Sequence, residues 1–341
     1  TKASIRLEGI QVDLRVVDEK IYGAALLHFT GSKQHNIILR TIALKKGMKV
    51  SEYGIHDKKT GRLLAGKTEE ECYKKLGLRY IEPELREDNG EIEAAMKNQL
   101  PGLINYNDVK GDFQMHTKWS DGNNTILEMA EAAKALGHGY IAITDHVGKA
   151  GMGSAIPPEE LREQKKEIEE AAKKTGIKIL QGAEINIQMD GSVDVDAKYL
   201  KELDVVLGSI HFGFKRKREQ QTSRLLKAME NEHIDIIAHP TGRLLNERPG
   251  YDIDFDKILE KAKATRTILE INALQKRLDL NDVYVRAAVK AGVKMSIGTD
   301  SHDINGLKNY VLSIGIARRG WAEKKDIINT RSVNDMMKML K

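Results

Sequence analysis

The sequence predicts an α/β protein: a parallel barrel of seven β/α units preceded by a small α+β domain. Three observations predict it. From Gly111 onward, short apolar runs alternate with amphipathic segments, the pattern of parallel strands joined by helical crossovers. Seven such units in succession suit a closed or nearly closed barrel better than an open sheet. Residues 1–80 lack that rhythm and read as short strands, turns and two helices.

Composition narrows the class of function. The 341 residues suggest two or three domains and are enough for a large core. The 55 basic and 50 acidic residues leave a net charge of +5, too slight to mark a nucleic-acid binder, so any polyanion site must be local. Cys72 is the only cysteine, which excludes an internal disulfide and suits a reducing cytoplasm. It reads as a small apolar packing residue rather than a nucleophile. No run approaches the ~18 apolar residues of a membrane span. The opening TKASIRLEG has no apolar export-signal core, and its start at Thr1 hints at a piece of a longer chain.

Ile10–Val17 alternates apolar and polar residues, which puts Gln11, Asp13 and Arg15 on one face of a strand. After a turn at Asp18–Lys20, Tyr22–Phe29 predicts a second strand. Ser32 is an N-cap for a helix that runs to Lys46 and stops at Gly47. Val50–His56 predicts another strand, closed by Lys58-Lys59-Thr60-Gly61. A short helix begins near Thr68, with Glu69, Glu70 and Glu71 suited to its N-terminus.

The segments DLRVV, GAALLHFTGSKQHNIILR and SEYGI resemble the later palm and the thumb of family X DNA polymerases. The resemblance implies that Asp13 is one of three palm carboxylates holding two Mg²⁺ ions. It places Phe29, in His28-Phe29-Thr30-Gly31, beside the incoming sugar, and brings Asn36 and Arg40 near the nascent base pair and template. His28 departs from the family's usual tyrosine. The other two carboxylates belong to an upstream Asp-x-Asp strand, and the twelve residues before Asp13 supply no such pair. A two-metal clamp needs several carboxylates. This chain alone is therefore expected not to polymerise DNA; Mg²⁺ at the palm is expected only in a full-length protein.

Between residues 81 and 110, Pro83 and Pro101 bracket a polar, helix-like run, Arg86–Asn98, made acidic by Glu82, Glu84, Glu87, Glu91 and Glu93. It reads as a solvated tether between domains at 1–80 and 111–341.

In the second domain the expected strands are Asp112–His116, Gly139–Thr144, Lys178–Gly182, Val205–Ile210, Ile234–Ala238, Ile268–Ile271 and Lys294–Gly298. The expected helices are Ile126–Leu136, Pro158–Lys174, Gln220–Asn231, Asp256–Ala264 and Asp282–Ala291. Barrel enzymes place their chemistry at the carboxyl ends of the strands. Those ends carry Gln114 and His116 with Asp121, then Asp145-His146, Glu184, His211, His239, Asn272, and Asp300 with His302. One such histidine is more often an ordinary hydrogen-bonded residue; recurrence at one end of successive strands points to metal ligation. His35, His56, His138 and His233 lie off this rim and receive no metal role.

Imidazoles and carboxylates without thiolates suit Mn²⁺, Zn²⁺ or Fe²⁺. Eight or nine ligands exceed the needs of one ion, so two or three ions are expected, bridged by Glu184. Such clusters polarise phosphoryl oxygens and acidify a bound water, which fits phosphoester hydrolysis.

This half closely resembles the polymerase-and-histidinol-phosphatase (PHP) family through SDG, ITDH, GAE, SxH, HP and TDSH. The resemblance implies a distorted (β/α)₇ barrel and a trinuclear site with His116, Asp121, His146, Glu184, His211, His239, Asp300 and His302 as ligands. The family's first motif is usually His-x-His. Here Gln114 replaces the first histidine with a weaker, neutral oxygen donor, which bears on the affinity of one metal position. Asp145 is expected to orient a neighbour rather than bind metal, and Asn272 to play a similar supporting part.

Lys215, Arg216, Lys217 and Arg218, on a loop just after His211, are suited to hold phosphates along a strand; the alternative is a solvated helix start. Arg243, four residues past His239, is placed for a bidentate phosphate contact and is grouped with Glu184 and His146 as catalytic. Phe212 and Phe214 are candidates for stacking a base, with one of them expected in the core.

The order of a palm-thumb segment followed by this barrel is similar to bacterial and archaeal polymerases of the PolX family. That resemblance implies metal-dependent 3′→5′ exonuclease or end-trimming phosphoesterase action on DNA at 3′ ends, gaps or single strands. Two alternatives stand beside it: a small-molecule phosphatase of histidinol-phosphate type, and a non-catalytic scaffold that positions DNA. Neither a membrane nor a protein partner is indicated.

Overall fold

The structure, a computed structural model, describes residues 2–148 and 154–341. Two compact units divide the chain, Thr1–Pro101 and Gly102–Lys341.

The first unit opens with an antiparallel hairpin of β1 (Lys2–Leu7) and β2 (Ile10–Arg15). Its register sets Ile5 opposite Val12 and Leu7 opposite Ile10 on one face, with Ser4 opposite Asp13 on the other. Next comes a helix, α1 (Tyr22–Thr30), where the sequence reading expected a strand. Its run of apolar residues satisfies either period. The deciding feature is the small face: Gly23, Ala24 and Ala25 are buried, and a Cβ on Gly23 would stand 2.2 Å from the backbone of Thr68. α2 (Lys33–Lys45) is capped by Ser32, whose hydroxyl accepts from His35 N. The single strand expected at 50–56 is two: β3 (Met48–Ser51), β4 (Gly54–Asp57) and β5 (Leu63–Ala65) form a small antiparallel sheet. α3 (Glu69–Leu76) starts at Thr68, whose hydroxyl accepts from Glu71 N.

The stretch expected to be a solvated tether is instead packed. Ile81, Leu85, Ile92 and Ala95 are buried, and only Glu91–Met96 is α-helical, α4. The buried Arg86 guanidinium donates to Ile81 O at 2.9 Å and to Glu69 Oε1 at 2.5 Å. His35 lies between Glu91 (Nδ1–Oε1 2.7 Å) and Tyr73 (Nε2–Oη 2.9 Å). Buried charges of this kind persist only when paired. Glu91 and Arg86 therefore anchor residues 81–101 to the first unit, while Ile104, whose carbonyl accepts from Arg318, belongs to the second.

In the second unit, strands β6 (Gly111–Asp112), β7 (Tyr140–Ile143), β8 (His146–Val147), β9 (Lys178–Asn186), β10 (Val205–Ser209), β11 (Ile236–Ile237), β12 (Ile268–Asn272) and β13 (Met295–Gly298) form one parallel sheet. The order is β6-β7-β9-β10-β11-β12-β13, with β8 continuing beside β9. Backbone bonds from Phe113 N to Ile297 O (3.2 Å) and from His116 N to Ser301 O (2.8 Å) join the last strand to the first, giving a nearly closed barrel. The regular part of the first strand is shorter than expected, because beyond Asp112 the chain bends toward Ser301.

The helices are α5 (Ile126–Ala135), α6 (Leu161–Thr175), α7 (Ala197–Leu200), α8 (Arg218–Ala228), α9 (Phe255–Thr265), α10 (Asp282–Ala291), α11 (Tyr310–Arg319) and α12 (Val333–Met337). α5 begins with a reciprocal cap between Thr125 and Glu128. Sequence reading did not anticipate α7, α11 or α12. At the end where the strands start, Ile328, Met336 and Leu340 pack into the barrel interior with Phe113, Leu180 and Leu207. The opposite end is left for chemistry. Among the described residues, no helix is long and apolar enough to cross a membrane.

Candidate metal centre

The strand ends bring together eight of the expected side chains. Three groups of donors have atoms within 4.8 Å of one another: His116, Asp121, His146 and His302; His146, Glu184 and His211; and His116, Glu184 and Asp300. His116, His146 and Glu184 each serve in two groups, so the groups interlock. Glu184 Oε1 lies 3.3 Å from His211 Nε2 and 2.9 Å from His239 Nε2, while Oε2 lies 3.4 Å from both His116 Nε2 and His146 Nδ1. Two ligands each about 2.1 Å from a shared ion stand roughly 3.0–3.4 Å apart, so these spacings are those of a coordination edge. His116 Nδ1 and His239 Nδ1 are buried with no hydrogen-bond partner among the described residues. An all-N/O donor set with two open imidazole nitrogens fits divalent ions.

The centre is graded from floor to rim. His116 and Glu184 are buried, whereas Asp121 is 39% and His302 33% exposed, so the Asp121–His302 edge faces the mouth. Local backbone makes this possible. A Cβ on Gly122 would come within 2.4 Å of His116 O, so only glycine lets the Ser120-Asp121-Gly122 turn fold back over the first ligand. His239 (φ 29°) and Asp300 (φ 53°) both occupy left-handed backbone, strain of the kind found at functional sites.

Asp145 stays out of the cluster. It accepts from Thr117 N (2.6 Å), Thr117 Oγ1 (2.7 Å), Ser120 Oγ (2.6 Å) and Gln164 Nε2 (2.9 Å), so it fixes the loop carrying His116 and Asp121. Gln114 is buried, and its Oε1 accepts from Asn272 Nδ2 at 3.2 Å. Asn272 also donates to Glu270 Oε2 and Asp300 Oδ2, both at 3.1 Å. Glu270 was not singled out in the sequence. Its Oε2 accepts from His239 N at 2.7 Å, its Oε1 is buried with no hydrogen-bond partner among the described residues, and a Cβ on Gly298 would meet that oxygen at 2.1 Å. Its signal was a lone acid inside an apolar strand.

Electrostatics follow from burial against pairing. Burial disfavours charge on His116, but the Asp300 hydrogen bond and the Glu184 and Asp300 charges outweigh it and raise the imidazole to about 9. Burial also opposes ionisation of Glu184 and Asp300, yet His146, His211 and His239 hold the first, and His116 with Arg277 the second, well below the usual carboxylate range. Glu270 goes the other way, raised by burial and by Asp300. His239 falls to about 4, chiefly through burial and then Arg277.

The arginine expected at the phosphate is otherwise engaged. Arg243 Nε donates to Arg277 O at 2.8 Å, and its Nη2 donates to Leu278 O. Arg243 therefore holds the 277–278 backbone rather than facing the mouth with its whole fork. Arg277 stands at the centre instead, with Nε 3.2 Å from Asp300 Oδ2. Nothing in the period of the sequence marks that position; only its place in the loop after β12, which ends in Asn272, does.

In the basic loop, Arg216 donates to Met189 O, and Arg218 opens α8 about 3.9 Å from Asp252 and Asp254, while Lys215 and Lys217 are exposed. Phe212 lies under Arg224, whose guanidinium donates to Phe212, Gln188 and Ile187 carbonyls.

In the first unit, Asp13 is exposed on β2 and held at about 2 by hydrogen bonds from Ser4 and Gln11 and by Lys2. Among the described residues it joins no group of three potential ligands. Phe29 is exposed under Arg15, 4.6 Å from its ring centre. Asn36 spends its amide on the carbonyls of His28, Gly31 and Ser32, bracing the α1–α2 turn, and Arg40 is exposed.

Residues 25–87 match the family described as DNA polymerase beta thumb, and residues 112–274 match the PHP domain. The thumb match runs past residue 80, in keeping with the packed 81–101 stretch. The whole chain is 41% identical over 345 residues to the "DNA polymerase/3'-5' exonuclease PolX" of Bacillus subtilis, and spans 60% of that protein's length. It is 32% identical over 190 residues to a "Probable phosphatase" of Caldanaerobacter subterraneus, covering 52% of this chain and 70% of that one. A "Probable phosphatase" of Acetivibrio thermocellus is 33% identical over 196 residues, covering 52% of this chain and 73% of that one.

Proposed function

The chain belongs to the PolX family, and on that premise we propose that its barrel is a metal-dependent phosphoesterase that trims DNA 3′ ends as a 3′→5′ exonuclease. The observation that carries this reading is the shared carboxylate: Glu184 faces four imidazoles at 2.9–3.4 Å, an arrangement that suits two or three bridged ions. Mn²⁺, Zn²⁺ and Fe²⁺ fit the donors. When bound, such ions polarise the phosphoryl group and acidify water.

The chain's own residues do the rest. His116, Glu184, His239 and Asp300 form a buried floor, and Asp121, His146, His211 and His302 form the accessible rim. Asp145 holds the first ligand loop in place. Arg277, fixed through its backbone by Arg243, is positioned to meet a phosphoryl oxygen and offset the charge that develops there. Lys215 and Lys217 offer exposed cations to the neighbouring backbone phosphates. For the first unit, the proposal is limited to contact with DNA through a thumb. Among the described residues Asp13 joins no group of three potential ligands, so polymerisation is proposed for a full-length protein with Mg²⁺.

A phosphomonoesterase reading is favoured by one observation, the relatives described as phosphatases that match the barrel. The two readings separate when Mn²⁺-loaded protein is given a 3′-labelled single strand and, in parallel, a phosphorylated amino alcohol. Nucleotide release from the strand, abolished in His146→Ala and His239→Ala, supports the exonuclease. Phosphate release from the small ester alone overturns it.

A further inference from the structure

The mouth of the barrel carries a second recess that neither the metal ligands nor Arg277 uses. It encloses about 700 Å³ between the loop after His211 and the loop after His239. Phe214, Arg248, Pro249 and Tyr251 line it, together with the exposed Lys215 and Asp252. The volume is within the range of small-molecule sites.

The walls are built flat. The Arg248 guanidinium carbon stands 3.5 Å from the Phe214 ring centre. Phe214 in turn lies nearly parallel to Tyr251, at 21° and 6.3 Å between centroids. The two outer members are held by the backbone that follows His239: Arg248 Nε and Nη2 donate to Gly242 O at 3.2 and 2.8 Å, and Tyr251 Oη donates to Pro240 O at 2.8 Å. Gly242 N is itself fixed by Asp279 Oδ2 at 2.8 Å. Gly213, at φ 73°, turns the chain so that Phe212 and Phe214 go to different arginines. The guanidinium plane is thus immobilised on an aromatic ring within a few residues of two ligands.

A delocalised planar cation backed by an aromatic ring and facing an apolar recess is a surface for stacking a planar π-system. We infer that this recess holds a nucleobase of the DNA strand being cut, stacked against the Arg248–Phe214 pair while Lys215 meets an adjoining phosphate. The floor is apolar and flat, which suits the base, and at the edge Lys215 offers a cation to the polyanionic backbone, apart in the chain from Asp252, which follows Tyr251. The inference rests on the phosphoesterase reading above and adds to it a grip on the base, tolerant of sequence because every base has a π-face.

The test uses the full chain stripped of metal, so that binding is read without turnover. A single strand carrying 2-aminopurine near its 3′ end is titrated with protein, and quenching of the fluorescent base reports stacking. Saturable quenching is expected, with apparent affinity at least about fivefold weaker in Phe214→Leu and Arg248→Gln. Replacing the fluorescent nucleotide's neighbours with abasic sites should leave the quenching in place. Equal quenching in wild type and both variants, or none in the wild type, overturns the inference; thermal melts identify a variant that has failed to fold, and the other then decides. Wild-type hydrolysis of bis(p-nitrophenyl) phosphate with Mn²⁺ is measured separately. If that ester is untouched, the phosphoesterase reading fails while the quenching still judges the recess.

Discussion

His239 Nε2 lies 2.9 Å from Glu184 Oε1, across 55 residues of sequence. The same oxygen is approached by His211, and the other by His116 and His146. A neutral amide in place of this carboxylate would leave four imidazoles without the anion that draws cations among them. Glu184→Gln is expected to lose at least one ion per chain by elemental analysis, and to lower nuclease activity by two orders of magnitude or more, roughly the cost of removing a principal electrostatic group. Wild-type protein holding fewer than one ion per chain would instead favour a scaffold.

Metal binding should release protons. In the metal-free protein His116 stays protonated up to about 9, because Asp300 and Glu184 stabilise its charge against burial. A ligand imidazole must be neutral. Apparent affinity at the His116, Glu184 and Asp300 group, where His116 is the one imidazole, should therefore rise about tenfold per pH unit below that value for the one proton displaced, and flatten above it. Competition titration with a chelating dye between pH 6 and 9 checks the slope.

Asp145 receives four hydrogen bonds from the loop and helix around it. Asp145→Asn presents an amide to donors that already point inward. The expected result is a loss of about 1–3 kcal/mol in stability and a 10–100-fold drop in metal affinity, although Asp145 itself binds no ion. Denaturant melts and metal titration of the same preparation measure both.

Arg277 and Arg243 should behave differently. Arg277→Ala is expected to lower kcat on a DNA strand about a hundredfold with metal content intact. Arg243→Ala should act through the 277–278 backbone and reduce stability as well as turnover. Equal, purely kinetic losses in both would place both guanidiniums on the substrate.

His138 is buried against Tyr310, and neither ring nitrogen has a hydrogen-bond partner among the described residues. Burial drops it from the usual 6.5 to about 4. Between those values the unfolded chain takes up a proton that the folded chain refuses, so stability is retained above pH 6.5 and lost as the pH falls. The total is about 3 kcal/mol by linkage. Urea melts at pH 7 and pH 4.5 should show it, with a smaller difference in His138→Leu.

The barrel was legible because its strands and helices have distinct periods, and because ligands recur where strands end. Asp282–Ala291 appears as expected from spacing alone. Tyr22–Thr30 did not, since an apolar run with a small-residue face has no period of its own, and the choice is made by Thr68 packing on Gly23. Glu91 looked solvated because its partner His35 is brought to it only by folding, and Arg86 in the same stretch meets Glu69 the same way. Likewise Arg243 turns to the carbonyls of Arg277 and Leu278 while Arg277 meets Asp300, contacts that composition and spacing do not encode.

The stopper formed by Ile328, Met336 and Leu340 makes the space above it, where the candidate metal centre lies, a cul-de-sac. A polymer cannot be threaded through it like a rope through a ring. A strand must enter and retreat by one doorway, and each freed nucleotide must leave past the end that is still engaged. On the exonuclease reading proposed above, a strand end and the nucleotide cut from it share that one doorway.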